Sequence, residues 1–285
     1  MTWEETIIKI RQDEDYSQLV EQAYFDENLK LNVERFSKSE EFEETLKIVK
    51  SYAPNAKSIL DVGCGNGISA INFALNKYQV TAVEPDSSNT VGAGAIKALK
   101  AIYKLDNIEV FEAYAEDLNL KSNTFDVVYV RQAMHHANNL EKFVLECIRV
   151  LKPNGLFITV RDHVIYDSND KEWFLKSHPL HKFYGGENAY KASEYRNAIN
   201  KAGATILKQY KYYDSIINYF PKSVEEIEMM EKENILKQKK RLKSKVGIIS
   251  NFPLVWSLYK LIKGYNPLNE KEVPGRMYSY LAKKQ

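Results

Sequence analysis

Residues 59–67 read Ile-Leu-Asp-Val-Gly-Cys-Gly-Asn-Gly, a strand-like apolar run opening into Gly63, Cys64, Gly65 and Gly67. Glycines after a strand let the backbone turn sharply and let a ligand approach it closely. The helix that follows adds unpaired N–H groups and a partial positive charge. The spacing is G-x-G-x-G, not the G-x-G-x-x-G of dinucleotide binders. An acid, Asp61, stands two positions before the first glycine. Glu84, followed by Pro85, closes the next strand-like run, where a carboxylate can accept two hydrogen bonds from ribose hydroxyls. Glu116 and Asp117 follow a third such run, and an Asp there can accept from an adenine amino group. Each acid alone reads equally well as a surface residue, but the set reads as a site for an adenosine-bearing cofactor.

A second group is defined by histidine. All five fall between residues 135 and 181 of a 285-residue chain. His135 and His136 follow the fourth strand-like run, His163 follows the fifth, and His178 and His181 lie in Ser-His-Pro-Leu-His-Lys-Phe-Tyr-Gly-Gly-Glu. Imidazole is the side chain best suited to taking a proton near neutral pH. His178-x-x-His181 with Glu187 also has metal-ligand types, but Pro179 argues against a helix presenting both rings on one face. No metal is expected.

The elements that must position these residues alternate. Strands are expected at Ser58–Val62, Gln79–Val83, Ile108–Glu112, Phe125–Val130 and Gly155–Val160, with helices near 67–76, 89–104 and 139–151. This order implies a mainly parallel sheet with helices on both faces, whose strand ends bind the ligand. Residues 1–53 are helical in pattern, with Ser39 capping the stretch that carries Phe42, Leu46 and Val49. Gly92 and Gly94 interrupt a helix start, through either a shifted start or a close contact. Residues 162–190 lack periodicity. A helix (Ala192–Ala202), a strand (Thr205–Tyr213), a helical stretch at 222–264 and a last strand (Met277–Ala282) complete the chain. One domain is expected over 1–285. It divides into a helical cap (1–55), a cofactor-binding core (56–165), an acceptor loop (166–190) and a C-terminal part (191–285) carrying a helical insertion (216–267).

In Ile59–Gly67, Val80–Asp86, Ala115–Leu118, Phe125–Val130 and Arg149–Gly155 the chain resembles class I S-adenosylmethionine-dependent methyltransferases of the small-molecule kind. The resemblance implies a Rossmann-like seven-stranded sheet with its last strand antiparallel, and S-adenosylmethionine as cofactor. It places Asp61 and the glycines around the methionine moiety, Glu84 on the ribose, Asp117 near adenine, and Arg131 and Gln132 beside the cofactor. The ends of the fourth and fifth strands then face the methyl acceptor. A hydroxyl acceptor gains from a base, so His163 is the first catalytic candidate and His136 the second. The alternatives are a hydrogen-bonded turn beside the adenine for His135-His136 and a structural role for His163. Arg161-Asp162-His163 and His178–Tyr190 resemble methyltransferases of bacterial surface-polysaccharide and sugar gene clusters. That likeness implies a sugar hydroxyl as acceptor, met by His135, Arg161, His178, His181, Tyr184 and Glu187.

The bulk properties exclude several classes. With 44% apolar and 27% charged residues the chain is ordinary globular material. A net charge of +2 gives no case for nucleic acid as partner, and no Asn-Pro-Pro-Tyr or Asp-Pro-Pro-Tyr motif follows the fourth strand. Two cysteines imply no disulfide framework, and no apolar run is long enough to span a membrane. A reduced, cytoplasmic protein without a signal peptide is expected. Lys237–Lys245 holds six basic residues in nine and precedes apolar Val246–Ile249 and Phe252–Trp256. This segment reads first as a lid over the site and second as a peripheral membrane contact. The rival readings of the whole are a methyltransferase of another metabolite at O, N or C, a nicotinamide-dependent oxidoreductase, and a cofactor-binding partner subunit without acceptor chemistry.

Overall fold

The computed structural model describes residues 1–263 and 267–285. Residues 264–266, the first of which ends the expected helical stretch and all of which belong to the expected insertion, lie outside the described residues.

The strands are β1 (Ser58–Val62), β2 (Gln79–Val83), β3 (Ile108–Phe111), β4 (Phe125–Arg131), β5 (Leu151–Ile165), β6 (Tyr190–Lys191), β7 (Ala204–Tyr210) and β8 (Met277–Lys284). The main sheet runs β3-β2-β1-β4-β5-β8-β7, and the short β6 pairs with the end of β5. Strands β1 to β5 are mutually parallel, whereas β8 is antiparallel to both neighbours. The strand order reverses between β1 and β4, and ligands of open α/β sheets bind at that reversal, beyond the carboxyl ends.

Alternation along the central strands explains the two-faced core. Ile59, Val127 and Tyr129 point to one face, where Phe36, Phe42, Phe73 and Ile96 cover them. Leu60, Val62, Val128 and Val130 point to the other, under Phe143, Ile148, Tyr195 and Ile199. Each fully buried side chain of this size contributes about 1.5–3 kcal/mol relative to exposure, so strands covered on both faces hold the rigid middle of the sheet. On the first face lie helices Leu29–Ser37, Glu40–Tyr52, Ile68–Leu75 and Ala93–Tyr103; on the second lie Leu140–Val150 and Ala192–Lys201.

Helix starts follow local chemistry. Ser39 Oγ accepts the Phe42 N–H at 3.2 Å, the cap the sequence predicts. The helix after β2 starts at Ala93, four residues later than its pattern suggests, and both sequence explanations hold. A Cβ on Gly92 would sit 2.2 Å from the Asp86 carbonyl oxygen, and one on Gly94 2.3 Å from Asn89 Oδ1. Residues 162–190 are more ordered than their composition suggests. β5 continues to Ile165, and Asp167 caps a helix over Ser168–Ser177.

The expected helical insertion breaks into Val224–Val246 and Pro253–Lys263. The long helix buries only Ile227 and Leu242, because its sequence is charged nearly all round. No helix among the described residues is long and apolar enough to cross a membrane.

Candidate active site

A cavity of about 480 Å³ opens at the carboxyl ends of β1, β2, β4 and β5. Its floor is the turn after β1, where Gly63 and Gly65 have φ of +65° and +55°. Gly63 is required twice over: its φ is left-handed, and a Cβ there would lie 2.5 Å from that of Ala133. Ala133, just past β4, packs directly against the bare Cα of Gly63 and so brings the two strand ends together at the cavity.

Glu84 is the anchor of this floor. Its Oε2 accepts the Gly65 N–H at 2.7 Å and its Oε1 the Asp86 N–H at 3.0 Å. A carboxylate retains lone pairs beyond these two bonds, which suits a pair of ribose hydroxyls. Burial raises its pKa to about 7. Asp61, wholly buried in β1, accepts from Ser69 Oγ at 2.5 Å, and burial raises it to about 7 as well. Its other oxygen has no hydrogen-bond partner among the described residues. It supports the turn from beneath and does not itself line the cavity.

The remaining residues expected at the cofactor divide. Cys64, Pro85, Glu116 and Gln132 line the cavity. Gly67 caps the helix Ile68–Leu75 and packs against Ile96. Asp117 is exposed and outside the lining, while Glu116 uses its carboxylate to hold the Asn138 N–H at 2.8 Å. Arg131 lines the cavity with its head committed elsewhere: Nε and Nη2 meet the buried Glu41 at 2.6 and 3.0 Å. Burial opposes a charged Glu41, but Arg131 and Arg161 outweigh it and hold the carboxyl below its ordinary range. The sequence offered no signal for Glu41, one of many acids on an N-terminal helix.

The histidines converge as the strand ends require. His135, His136, His163 and His178 line the cavity with Tyr184 and Glu187. His163 Nδ1 is 2.6 Å from the Gly275 carbonyl, and His136 Nδ1 is 3.2 Å from that of Gly186. A carbonyl only accepts, so each Nδ1 carries the proton and each Nε2 keeps its lone pair. His135 Nδ1 lies 3.1 Å from Asp162 Oδ1, which also accepts the His135 N–H at 3.0 Å. Burial moves these groups toward their neutral forms: His163 down to about 4, His135 well below its usual value, Asp162 up to about 8. Burial also opposes a charged Glu187, yet His178, His136 and His163 outweigh it and lower its pKa.

Two residues expected at the acceptor are placed apart. Arg161 gives Nη1 to the carbonyls of Ile217 and Phe220 at 3.2 and 2.7 Å, and does not line the cavity. His181 lines a separate depression that shares His178 and Pro179 with the cavity. Conversely, the N-terminal segment supplies Trp3, Leu19, Ala23 and Phe25 to the cavity wall, a pairing with no local signal in the sequence. Trp3 packs on Tyr184 with ring centroids 4.9 Å apart. No described residue of the insertion lines the cavity. The covering expected of a lid there comes from the first helices and from 178–187.

Comparison with known proteins agrees with this geometry. Residues 60–159 match the family described as a methyltransferase domain. The chain is 35% identical over 113 residues to a ubiquinone biosynthesis O-methyltransferase of Rickettsia prowazekii (strain Madrid E), which covers 39% of this chain and 43% of that protein. The chain thus spans under half the length of that relative. Among solved structures, geranyl diphosphate C-methyltransferase from Streptomyces coelicolor A3(2), in complex with Mg2+, geranyl diphosphate and S-adenosyl-L-homocysteine, aligns with a TM-score of 0.55 at 13% identity, over 85% of this chain and 79% of that one. The [4+2]-cyclase SpnF aligns with a TM-score of 0.54 at 18% identity, over 85% and 80%. These two likenesses show the fold. With the strand order, the Gly63–Gly67 turn and the matched residues taken together, residues 60–159 form a methyltransferase domain similar to those of class I S-adenosylmethionine-dependent methyltransferases.

Proposed function

We propose that this protein transfers a methyl group from S-adenosylmethionine to a hydroxyl of a small-molecule acceptor. Gly63, Gly65 and Glu84 would hold the cofactor, and the left-handed glycine turn tied to the Glu84 carboxylate in the cavity lining is the observation that fits it there. When bound, the cofactor supplies a sulfonium methyl that needs no further activation.

The single observation that carries oxygen as the acceptor atom is the pair of imidazoles that line the same cavity. His163 and His136 each give Nδ1–H to a main-chain carbonyl and keep Nε2 free. A hydroxyl attacks better as its proton leaves, and a positioned base contributes about 10²–10⁴-fold. Trp3, Phe25 and Tyr184 form the wall beside this cluster and would orient a ring-bearing acceptor.

A sugar hydroxyl remains our acceptor reading, supported by the density of polar groups in His135, His136, His163, His178 and Glu187. A phenolic hydroxyl is the second reading, favoured by the aromatic wall and by the activity named for the Rickettsia relative. Incubation with methyl-labelled cofactor and parallel panels of nucleotide sugars, glycans and phenols separates them by mass gain. Label confined to phenols defeats the sugar reading.

The peripheral-membrane reading of 237–262 is supported by Leu254 and Leu261, 81% and 80% exposed, beside the basic run. Co-sedimentation with anionic vesicles at two salt concentrations tests it, and binding indifferent to vesicle charge removes it.

A further inference from the structure

His135, His163 and Glu187 each bring one ligand atom within 4.8 Å of the others, at the acceptor end of the cavity. They are far apart in sequence, coming from the turn after β4, from β5, and from the loop before β6. From this arrangement we propose a mononuclear divalent metal site built from His135, His163 and Glu187, for a first-row transition ion such as Zn2+, Co2+ or Fe2+. The proposal rests on the acceptor site described above and deepens it.

Three features beyond proximity point to an ion. The first is tautomer control. His135 has Nδ1 against Asp162 Oδ1 at 3.1 Å, and His163 has Nδ1 against the Gly275 carbonyl at 2.6 Å. Metal-binding histidines characteristically donate their other ring N–H to a carboxylate or a main-chain carbonyl, which fixes the ring and leaves one lone pair for the metal. Here one ring has each kind of partner.

The second is an unpartnered carboxylate oxygen. Glu187 is only 9% exposed, and its Oε2 has no hydrogen-bond partner among the described residues. That oxygen lies 3.8 Å from His135 Nε2, while Oε1 accepts from Tyr184. Leaving a buried carboxylate oxygen unpaired is costly, and an ion satisfies it. The third is the supporting carboxylate itself: Asp162 is fully buried and spends Oδ1 entirely on His135, through both its ring and its N–H.

Two imidazoles with one carboxylate suit borderline first-row ions better than Mg2+ or Ca2+, which prefer oxygen shells. Ligands about 2.1 Å from one ion stand roughly 3.4 Å apart in a tetrahedral shell, so closing on a metal requires a contraction of about 1.5 Å or less. Three protein ligands leave a position open toward the cavity, where the acceptor hydroxyl oxygen would bind. Its proton would pass to His136 Nε2, since His163 Nε2 is then occupied by the metal. His163 in this arrangement activates the acceptor by holding the ion.

The test uses the untagged full chain and the metal alone. Titration with Co2+ should saturate at one ion per chain and develop visible absorption of a low-coordinate site. His163→Ala and Glu187→Ala should each weaken binding at least about 100-fold. Asp162→Asn, which leaves all three ligands in place, should weaken it about 10–100-fold. X-ray absorption of the Zn2+-loaded wild type should show at least two imidazoles, a measurement independent of how any variant folds. Absence of saturable binding, fewer than two imidazoles on the zinc, or variants that bind as the wild type does would each overturn the proposal. None of these readouts involves cofactor or acceptor. A metal site without methyl transfer therefore defeats the functional reading alone, and methyl transfer without metal binding defeats this one alone.

Discussion

His163 gives its Nδ1 proton to the main-chain carbonyl of Gly275 across 2.6 Å, so the lone pair at the cavity belongs to Nε2. Losing this ring should strike chemistry and spare the cofactor, whose proposed anchors, Gly63, Gly65 and Glu84, follow β1 and β2 instead. For His163→Ala we expect kcat to fall about 10²–10⁴-fold, with S-adenosylhomocysteine affinity within about twofold of wild type. Steady-state kinetics paired with calorimetry checks this. Equal losses in affinity and turnover would mean that the ring shapes the cavity and nothing more.

Glu84 gives a pH prediction with a definite sign. Its folded pKa, raised by burial, is about 7 against an ordinary 4.5. A raised acid contributes stability that is fully present below its unfolded value and is lost as pH rises through its folded one. Glu84→Gln removes that dependence. The melting temperature of the cofactor-free variant, relative to wild type, should therefore move upward between about pH 5 and about pH 8. Over the same interval its S-adenosylhomocysteine affinity should be about tenfold or more below wild type at the upper end, because a charged acceptor is gone. A pH-independent difference in melting temperature would contradict the assignment.

Gly63→Ala combines a left-handed backbone with a Cβ placed 2.5 Å from that of Ala133. The strain alone is worth about 1–3 kcal/mol, and the clash pushes on the cavity floor. Denaturant unfolding should show a loss in that range or above it, together with at least about tenfold weaker cofactor binding. Unchanged binding would place the cofactor elsewhere.

Glu41 ties the N-terminal helices to the end of β4 through both of its oxygens. Removing one partner of a buried pair leaves an uncompensated charge, which costs about 3–5 kcal/mol. Glu41→Ala should lose stability on that scale and speed proteolysis within residues 1–52. A loss below about 1 kcal/mol, the value of an exposed pair, would show the contact to be solvated.

What the sequence revealed follows the range over which each signal acts. The strand, glycine turn and helix at 58–75 are local, and so is Glu84 at the end of the next strand; all were readable. Asp117 was placed at the cofactor by position alone, whereas its neighbour Glu116 faces the cavity and holds the 138–139 turn. Arg161 follows the strand expected at Gly155–Val160, yet β5 runs on through it to Ile165, and its φ of +63° and the carbonyls of Ile217 and Phe220 draw its head away. Nothing local could join His135 to Glu187, or Trp3 to Tyr184, because the fold itself makes those contacts. The basic run at Lys237–Lys245 and the apolar segments after it suggest a lid, but such a pattern does not say what its apolar side covers, and no described residue of the insertion lines the cavity.

The central claim, methyl transfer to oxygen at the histidine cluster, is tested most directly with cofactor labelled in its methyl group. Label should appear as an oxygen-bound methyl on the acceptor, with stoichiometric S-adenosylhomocysteine, and His136→Ala should slow transfer at least about 100-fold. Label on nitrogen or carbon, or equal transfer by wild type, His136→Ala and His163→Ala, would contradict the account.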